Sequence, residues 1–291
     1  MLHARNRAYL GLALSSLLIL FTSCGSNSGS TSGTPKTSVT TASDGMDGMA
    51  GMDHSGTMAM DPVAGDGTKD SAAGYTLQPI TVPTAIGTQS YSFKVVGPDG
   101  AAIKDAEVEQ TKKLHLIVVR SDLSLYQHIH PSLAADGTWT IPVSFATEGR
   151  WHIIADLTPV KGTRVVLGTD VSIGGAGANQ ALPAAEKTAK VDGFVVTMGG
   201  QLTTAEKPVT FAITKDGAPA TNITDYLGAG GHLVALKVDT LAYTHLHPNS
   251  AAGPSLSFDA AVPTAGTYRL FLQFASGAQV HTAEFTVVAT S

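Results

Sequence analysis

From residue 75 onward, short apolar runs alternate with turn-forming residues, and no segment has the spacing of an amphipathic helix. The runs are rich in Val, Ile, Thr and aromatic side chains, and Gly, Pro, Asp or Ser bound them, as is typical of strands. They fall at 91–100, 113–122, 138–145 and 150–157, and again at 194–200, 207–220, 232–239, 255–262, 267–274 and 280–289. This pattern predicts an all-β protein made of sandwiches or barrels.

The strand pattern is duplicated. Residues 115–131 read HLIVVRSDLSLYQHIHP, and residues 232–248 read HLVALKVDTLAYTHLHP. An offset of 117 residues aligns the two copies without a gap from 115 to 157. An internal repeat of this kind predicts two tandem copies of one β domain. Each copy has about 100 residues, the usual size of an immunoglobulin-like sandwich.

The chain before the first copy has a different composition. We predict a signal peptide at 1–23, a disordered tether at 24–74, β-sandwich domains at 75–174 and 189–291, and a Gly/Ala-rich linker at 175–188. The tether consists largely of Ser, Gly, Thr, Asp and Met. Burial of so few apolar side chains would not offset the entropy lost on ordering.

The duplicated stretch places three histidines on one β-hairpin. If strands 115–120 and 125–130 pair about a tight turn, partner residue numbers sum to 245, and His115 faces His130. Side chains alternate along a strand, so His128 shares that face. The same arithmetic groups His232, His245 and His247. We therefore predict one metal site in each copy, with neutral imidazoles that suit Cu(II), Zn(II) or Ni(II).

A structural role is the alternative for these histidines. In that interpretation they pack at strand ends, bond to backbone carbonyls, or stack on Tyr126 and Tyr243. Two further histidines have no counterpart in the other copy. We expect His281 to be an additional candidate ligand, and His152, which follows Trp151, to be structural.

The first residues have the features of a bacterial export signal. Arg5 and Arg7 precede an apolar run at 8–21 that is too short to span a bilayer, which takes about 20 residues. The run leads into Thr22-Ser23-Cys24, which resembles the lipobox of bacterial lipoproteins, although Phe21 stands where that family usually has Leu. The resemblance implies cleavage before Cys24 and lipid attachment to its thiol.

Cys24 is the only cysteine, and its acylation would leave the mature fold without a thiol. That excludes a cysteine nucleophile, an iron–sulfur cluster and a blue-copper centre. The formal charge of −5 and the absence of basic stretches exclude nucleic acid as the expected partner.

The tether carries a second candidate site. Residues 44–62 read DGMDGMAGMDHSGTMAMDP and hold five of the seven methionines together with one histidine: Met46, Met49, Met52, His54, Met58 and Met60. These methionines stand among Gly, Asp and Ser, with no apolar neighbours to pack against. Thioether sulfur is a soft ligand, so we predict a Cu(I) site, with compositional drift as the alternative.

Two resemblances support metal handling. Met52-Asp53-His54 and the repeated Gly-Met pairs resemble the Met/His-rich segments of bacterial periplasmic copper-resistance proteins. HLIVVRSDLSLYQHIHP, GTYRLFLQF and VHTAEFTV resemble secreted bacterial β-sandwich modules of the YtkA-like and FixH-like kind, which occur near heavy-metal transport functions. They imply a lipid-anchored copper-binding protein on the extracytoplasmic face of the cell envelope, with a copper transporter or metallochaperone as its partner.

Two other functions remain open at this point. A non-metal binding or adhesion module would use the histidines only to brace its turns. A hydrolase with a three-histidine zinc would need a nearby acid or base. Asp122 and Asp136 are the acids closest in sequence, and Gly253 replaces Asp136 in the second copy. We therefore do not expect an enzyme.

Overall fold

A computed structural model describes residues 63–246 and 248–291, all of which belong to one compact unit of the chain. Every regular element in this part is a strand, which confirms the predicted all-β class. The first half contains β1 Ser71–Ala72, β2 Tyr75–Thr81, β3 Gly87–Val96, β4 His115–Arg120, β5 Gln127–Ile129, β6 Ser132–Leu133, β7 Trp139–Phe145, β8 Gly149–Leu157 and β9 Val165–Ile173. None of the described residues forms a helix long and apolar enough to cross a membrane.

The second half repeats this layout. Its strands are β10 Thr188–Val191, β11 Phe194–Gly199, β12 Lys207–Lys215, β13 Ala218–Pro219, β14 Ile223–Thr224, β15 His232–Lys237, β16 Tyr243–Leu246, β17 Ser255–Ala260, β18 Gly266–Ser276 and β19 Gln279–Ala289. Between β9 and β10, the segment after Gly174 is largely exposed and contains no strand.

The first half is a sandwich of two antiparallel sheets. One sheet has the order β1-β2-β3-β7-β6, and the other has the order β5-β4-β8-β9. Alternate side chains from both sheets fill the space between them, including Phe93, Leu116, Trp139 and Trp151, all buried. This inward alternation is the expected core of an antiparallel sandwich.

The second half is built in the same way. One sheet has the order β10-β11-β12-β13, and β17 also pairs with β12. The other has the order β14-β18-β15-β16, and β19 also pairs with β18. The two halves also share a corner at the same repeat position: Trp151 Nε1 donates to Thr147 O at 3.3 Å, and Tyr268 Oη donates to Thr264 O at 2.8 Å. A buried ring tied to the backbone four residues upstream is a recurring feature of immunoglobulin-like sandwiches.

A third apolar cluster lies between the sandwiches. It joins side chains from β4, the turn after β4, β8 and β9 to those on β15, β16 and β18: Ile117, Val119, Leu123, Ile154, Val166, Val234, Leu236, Tyr243 and Phe271. Across this cluster, the rings of Tyr126 and Phe271 stack at 4.1 Å with an interplanar angle of 7°. The first strands of the duplicated hairpins, β4 and β15, are therefore buried on both faces.

The hairpin register follows the sequence prediction. In the first copy Leu116 pairs with Ile129 and Ile117 with His128, so partner numbers sum to 245. The other face of the hairpin points into the first sandwich, where Leu116 and Val118 are buried with Ile129 packed against them. The opposite face, which carries the histidines, points toward the second sandwich.

The ordered fold begins before residue 75, which corrects the predicted end of the tether. Backbone bonds join Ala64 to Val166 at 2.9 Å and Lys69 to Gly168 at 2.7 Å, while Tyr243 N donates to Asp66 O at 2.8 Å. A side chain at Gly168 would place its Cβ 1.6 Å from Gly67 O, so this close approach requires glycine. The segment is held mainly through its backbone, and its polar composition therefore resembles that of a tether. The rest of the tether and the signal peptide lie outside the described residues.

The apolar cluster between the sandwiches generates a stability prediction. Replacing Phe271, which is fully buried, with Ala should destabilise the protein by about 3–5 kcal/mol because it leaves a cavity and removes the stack on Tyr126. Urea unfolding at equilibrium measures this loss. The control is Val288→Ala on the exposed side of β19, where a change within about 0.5 kcal/mol is expected. Equal losses of unfolding free energy in the two variants would show that the apolar cluster does not stabilise the protein.

Candidate metal centre

Three histidines of the first copy meet at the end of the β4–β5 hairpin. His115 is the first residue of β4, His128 lies on β5, and His130 follows it. His115 Nδ1 lies 2.9 Å from His128 Nε2 and 3.3 Å from His130 Nε2. One ring nitrogen from each residue lies within 4.8 Å of the others. His115 and His128 are buried, and His130 is half-buried.

The partners of the outer ring nitrogens, which point away from the other histidines, determine whether the inner nitrogens, which face each other, carry a proton. His115 Nε2 lies 3.1 Å from Glu109 O, and His128 Nδ1 lies 2.8 Å from Gln273 Oε1. Both oxygens are acceptors, so we assign the N–H to the outer nitrogen of each ring. His115 Nδ1 and His128 Nε2 then face each other at 2.9 Å with two lone pairs and no proton between them.

The second copy repeats this arrangement. His232 Nδ1 lies 3.2 Å from His245 Nε2, and His232 Nε2 lies 3.2 Å from Tyr226 O. His245 Nδ1 faces Asp156 Oδ2 at 3.6 Å, an electrostatic contact longer than a hydrogen bond. The 117-residue offset relates Glu109 to Tyr226 as it relates the histidines. His247 lies outside the described residues.

The two histidine sets lie next to each other, so the site predicted in each copy borders the site of the other copy. The rings of His115 and His245 have centroids 5.2 Å apart, and those of His128 and His232 are 5.6 Å apart. Docking of the two sandwiches brings the histidine faces of both hairpins together. We call His115, His128, His130, His232 and His245 the histidine centre.

The spacing of the nitrogens suits a metal ion. Imidazole nitrogens bind Zn(II) at about 2.0–2.1 Å in tetrahedral geometry, which sets neighbouring nitrogens about 3.3 Å apart. The inner nitrogens lie 2.9 to 3.3 Å apart within each copy. Metal-binding histidines also donate their other N–H to a carboxylate or a carbonyl oxygen, and the outer partners here are of that kind.

A buried ion pair borders the centre. Asp156 Oδ1 accepts from Arg164 Nε at 2.9 Å, and Oδ2 accepts from Arg164 Nη2 at 2.6 Å and from Tyr243 Oη at 2.9 Å. Burial alone would raise the pKa of Asp156, but hydrogen bonds from Arg164 and the contact with His245 hold that pKa well below its ordinary value. The carboxylate is therefore ionised at neutral pH.

Burial keeps the histidines of the first copy neutral. Desolvation, followed by the neighbouring rings, lowers the pKa of His128 from 6.5 to about 3. The pKa of His130 falls to about 3 for the same reasons, and burial also lowers that of His115. Because each ring is neutral and the proton of His115 and of His128 is assigned to the outer nitrogen, no proton lies between their facing nitrogens at neutral pH.

The structure places the other candidate residues elsewhere or does not describe them. His281 lies between Phe194 and Phe274, and its Nδ1 bonds to Asp192 Oδ2 at 2.7 Å, so it is not part of the histidine centre. His152 bonds to Gly67 O at 2.7 Å and Asp170 Oδ1 at 2.8 Å, which gives it the expected structural contacts. The tether residues Met46, Met49, Met52, His54, Met58 and Met60, together with Cys24, lie outside the described residues.

Sequence reasoning missed the residues that orient the rings. Asp156 and Gln273 occupy equivalent positions, directly opposite His115 and His232 in their sheets. The available signal was polarity, because a lone Asp stands in the apolar run RWHIIADL and a lone Gln stands in TYRLFLQF. Buried polar residues in such strands need partners.

Comparison with known proteins adds a family match for the second sandwich. Residues 189–291, just over a third of the chain, match a family model described as Domain of unknown function (DUF8832). No curated protein matches the chain.

The solved structures are only distantly similar. A tetra-tandem repeat from the extending region of a large adhesion protein is 12% identical, with TM-score 0.25, over 74% of this chain and 48% of that one. Red sea bream transglutaminase is 14% identical, with TM-score 0.23, over 75% of this chain and 31% of that one. Salmonella alpha-2-macroglobulin is 14% identical, with TM-score 0.26, over 78% and 15%. The chain thus spans less than half of each, and this level of similarity carries no statement about function.

The buried neutral histidines generate a prediction for the metal-free protein. Between about pH 6.5 and about 3 the unfolded chain binds more protons than the folded chain, because folding lowers the pKa of His128. Stability is therefore complete above about pH 6.5 and declines as the pH falls, by up to about 1.4 kcal/mol per pH unit for one such histidine.

Urea unfolding in a chelator at about pH 7.5 and about pH 5 measures this decline, above the range in which carboxylates titrate. His128→Gln should make the decline smaller. Equal stability at the two pH values would contradict the assignment of neutral, buried rings.

Proposed function

We propose that this protein binds metal at the histidine centre, with copper as its physiological ion. The proposal is supported by the close approach of facing ring nitrogens, at 2.9 Å in the first copy, where both are assigned as unprotonated, and at 3.2 Å in the second. In the first copy, a cation between His115 and His128 converts a lone-pair repulsion into coordination. The outer nitrogens of His115, His128 and His232 already have oxygen acceptors, which hold these rings in place.

The donor chemistry supports a borderline transition metal. All of the proposed ligands are imidazole nitrogens, which suit Cu(II), Zn(II) and Ni(II) and are poor ligands for Mg(II) or Ca(II). For a given nitrogen site, Cu(II) binds more tightly than Zn(II) or Ni(II). The methionine-rich stretch at 44–62 favours copper further, since its thioethers suit Cu(I).

The sequence supports a location in the cell envelope. The apolar leader and Thr22-Ser23-Cys24 together favour export and lipid attachment at Cys24. A membrane anchor, a Cu(I)-binding tether and a Cu(II) centre would together suit capture of copper outside the cytoplasm. The partner we propose is a membrane copper transporter or a metallochaperone that exchanges copper with the tether.

Coordination explains the histidines better than a bracing role in an adhesion module. A bracing histidine has an oxygen beside each ring nitrogen, as His152 has Gly67 O and Asp170 Oδ1. In the first copy, His115 Nδ1 instead faces His128 Nε2, and both nitrogens are assigned as acceptors. We propose binding rather than catalysis.

Thermal unfolding with and without metal tests the proposal. Cu(II) or Zn(II) at about 100 times its Kd should stabilise the folded full-length chain by about 2.7 kcal/mol, because the ion binds the folded state only. The double variant His115→Ala/His232→Ala should lose this gain. The effect is read as a difference within each variant, so any intrinsic loss of stability cancels.

His281→Gln is the matched control, because it changes a buried histidine outside the centre and should keep the full metal-induced gain. No gain in the wild-type chain, or an undiminished gain in the double variant, would reject the histidine centre as a metal site.

A further inference from the structure

In each half of the histidine centre, a histidine of one sandwich contacts a polar side chain of the other sandwich. His128, from the first sandwich, bonds through Nδ1 to Gln273 of the second sandwich at 2.8 Å. His245, from the second sandwich, faces Asp156 of the first at 3.6 Å. Gln273 and Asp156 are separated by the same 117 residues as His245 and His128. The contacts are therefore reciprocal, as at a two-fold interface between identical subunits.

Each half also has its own pair of facing ring nitrogens that could coordinate a metal ion. His115 Nδ1 and His128 Nε2 form one pair, and His232 Nδ1 and His245 Nε2 form the other. Among the described residues, the group whose donors all lie within 4.8 Å of one another is confined to His115, His128 and His130. The second pair thus lies beside this group rather than completing it.

From these observations we infer that the histidine centre is a dinuclear site, in which two metal ions lie side by side across the interface of the two sandwiches. This inference rests on the proposed metal-binding function and deepens it. One ion is held by His115, His128 and His130, and the second by the pair of His232 and His245. Ring centroids of the two halves are 5.2 to 6.0 Å apart, which makes the two ions near neighbours.

The charges around the centre make the two binding steps unequal. The buried carboxylate of Asp156 is already paired with Arg164, so the site has little negative charge left for a second cation. The first ion raises the electrostatic cost of the second in this buried environment. The second ion therefore binds more weakly than the first.

The contacts between a histidine of one sandwich and a polar side chain of the other make each half depend on the opposite sandwich. Gln273 is not a ligand in this scheme but a positioning residue for His128. Loss of an outer partner of a metal-binding histidine typically lowers metal affinity about 10- to 100-fold. Gln273→Leu, a change in the second sandwich, should therefore weaken the ion bound by the first sandwich by that factor.

The test is Cu(II) titration of the full-length chain in a His54→Gln background, which removes the tether imidazole. Ion content and electron paramagnetic resonance are recorded at each step. Two ions per chain should bind, the second more weakly, and the fully loaded protein should show a spin-coupled signal with a half-field transition. His115→Ala and His232→Ala should each leave one ion and an uncoupled signal, whereas His281→Gln should behave as the parent chain.

The outcomes separate this inference from the proposed function. No bound copper would overturn both. A single ion, or two ions without spin coupling, would overturn the dinuclear site and leave metal binding intact. Unchanged affinity in Gln273→Leu for the ion that remains in His232→Ala would overturn the cross-sandwich positioning.

Discussion

The opposed imidazole nitrogens are the constraint on which the rest of this structure depends. Carbonyl, amide and carboxylate oxygens occupy the outer side of the rings, so the inner nitrogens present lone pairs to each other. Burial disfavours the protonated form and so removes the simplest relief for that repulsion. Such a pair is stabilised by a cation and strained without one, which is the physical reason to regard the centre as a binding site.

Duplication explains how one chain assembled this centre. In a single sandwich, the histidines on the outer face of the hairpin would be exposed to solvent. A second copy that docks in a reciprocal manner covers them, and the apolar side chains beside them, such as Ile117 and Val234, supply the hydrophobic part of the interface. Position 156 holds Asp and the equivalent position 273 holds Gln, which makes the two halves chemically different.

Much of the fold could be predicted because it depends on local pattern. Alternation and turn residues locate the strands, and the turn between β4 and β5 fixes the register that pairs Ile117 with His128. The docking of the sandwiches could not be predicted by this route, since it depends on contacts between residues far apart in the sequence, such as Asp156 and Tyr243. A signal was nevertheless present: the strand sequences HLIVVR and HLVALK are apolar on both faces, and such strands are buried on both sides. The sequence did not predict that the fold begins before residue 75. The residues around Gly67 are held by backbone hydrogen bonds, which any residue type can form.

Nitrogen NMR of the histidine rings in metal-free protein tests the central claim most directly, because it reports which ring nitrogen carries the proton. At neutral pH the account predicts a protonated Nε2 on His115 and a protonated Nδ1 on His128, with both facing nitrogens unprotonated. Addition of Zn(II) should then shift the resonances of those facing nitrogens. A proton on His115 Nδ1 or His128 Nε2, shared between the rings as an ordinary hydrogen bond, would contradict it.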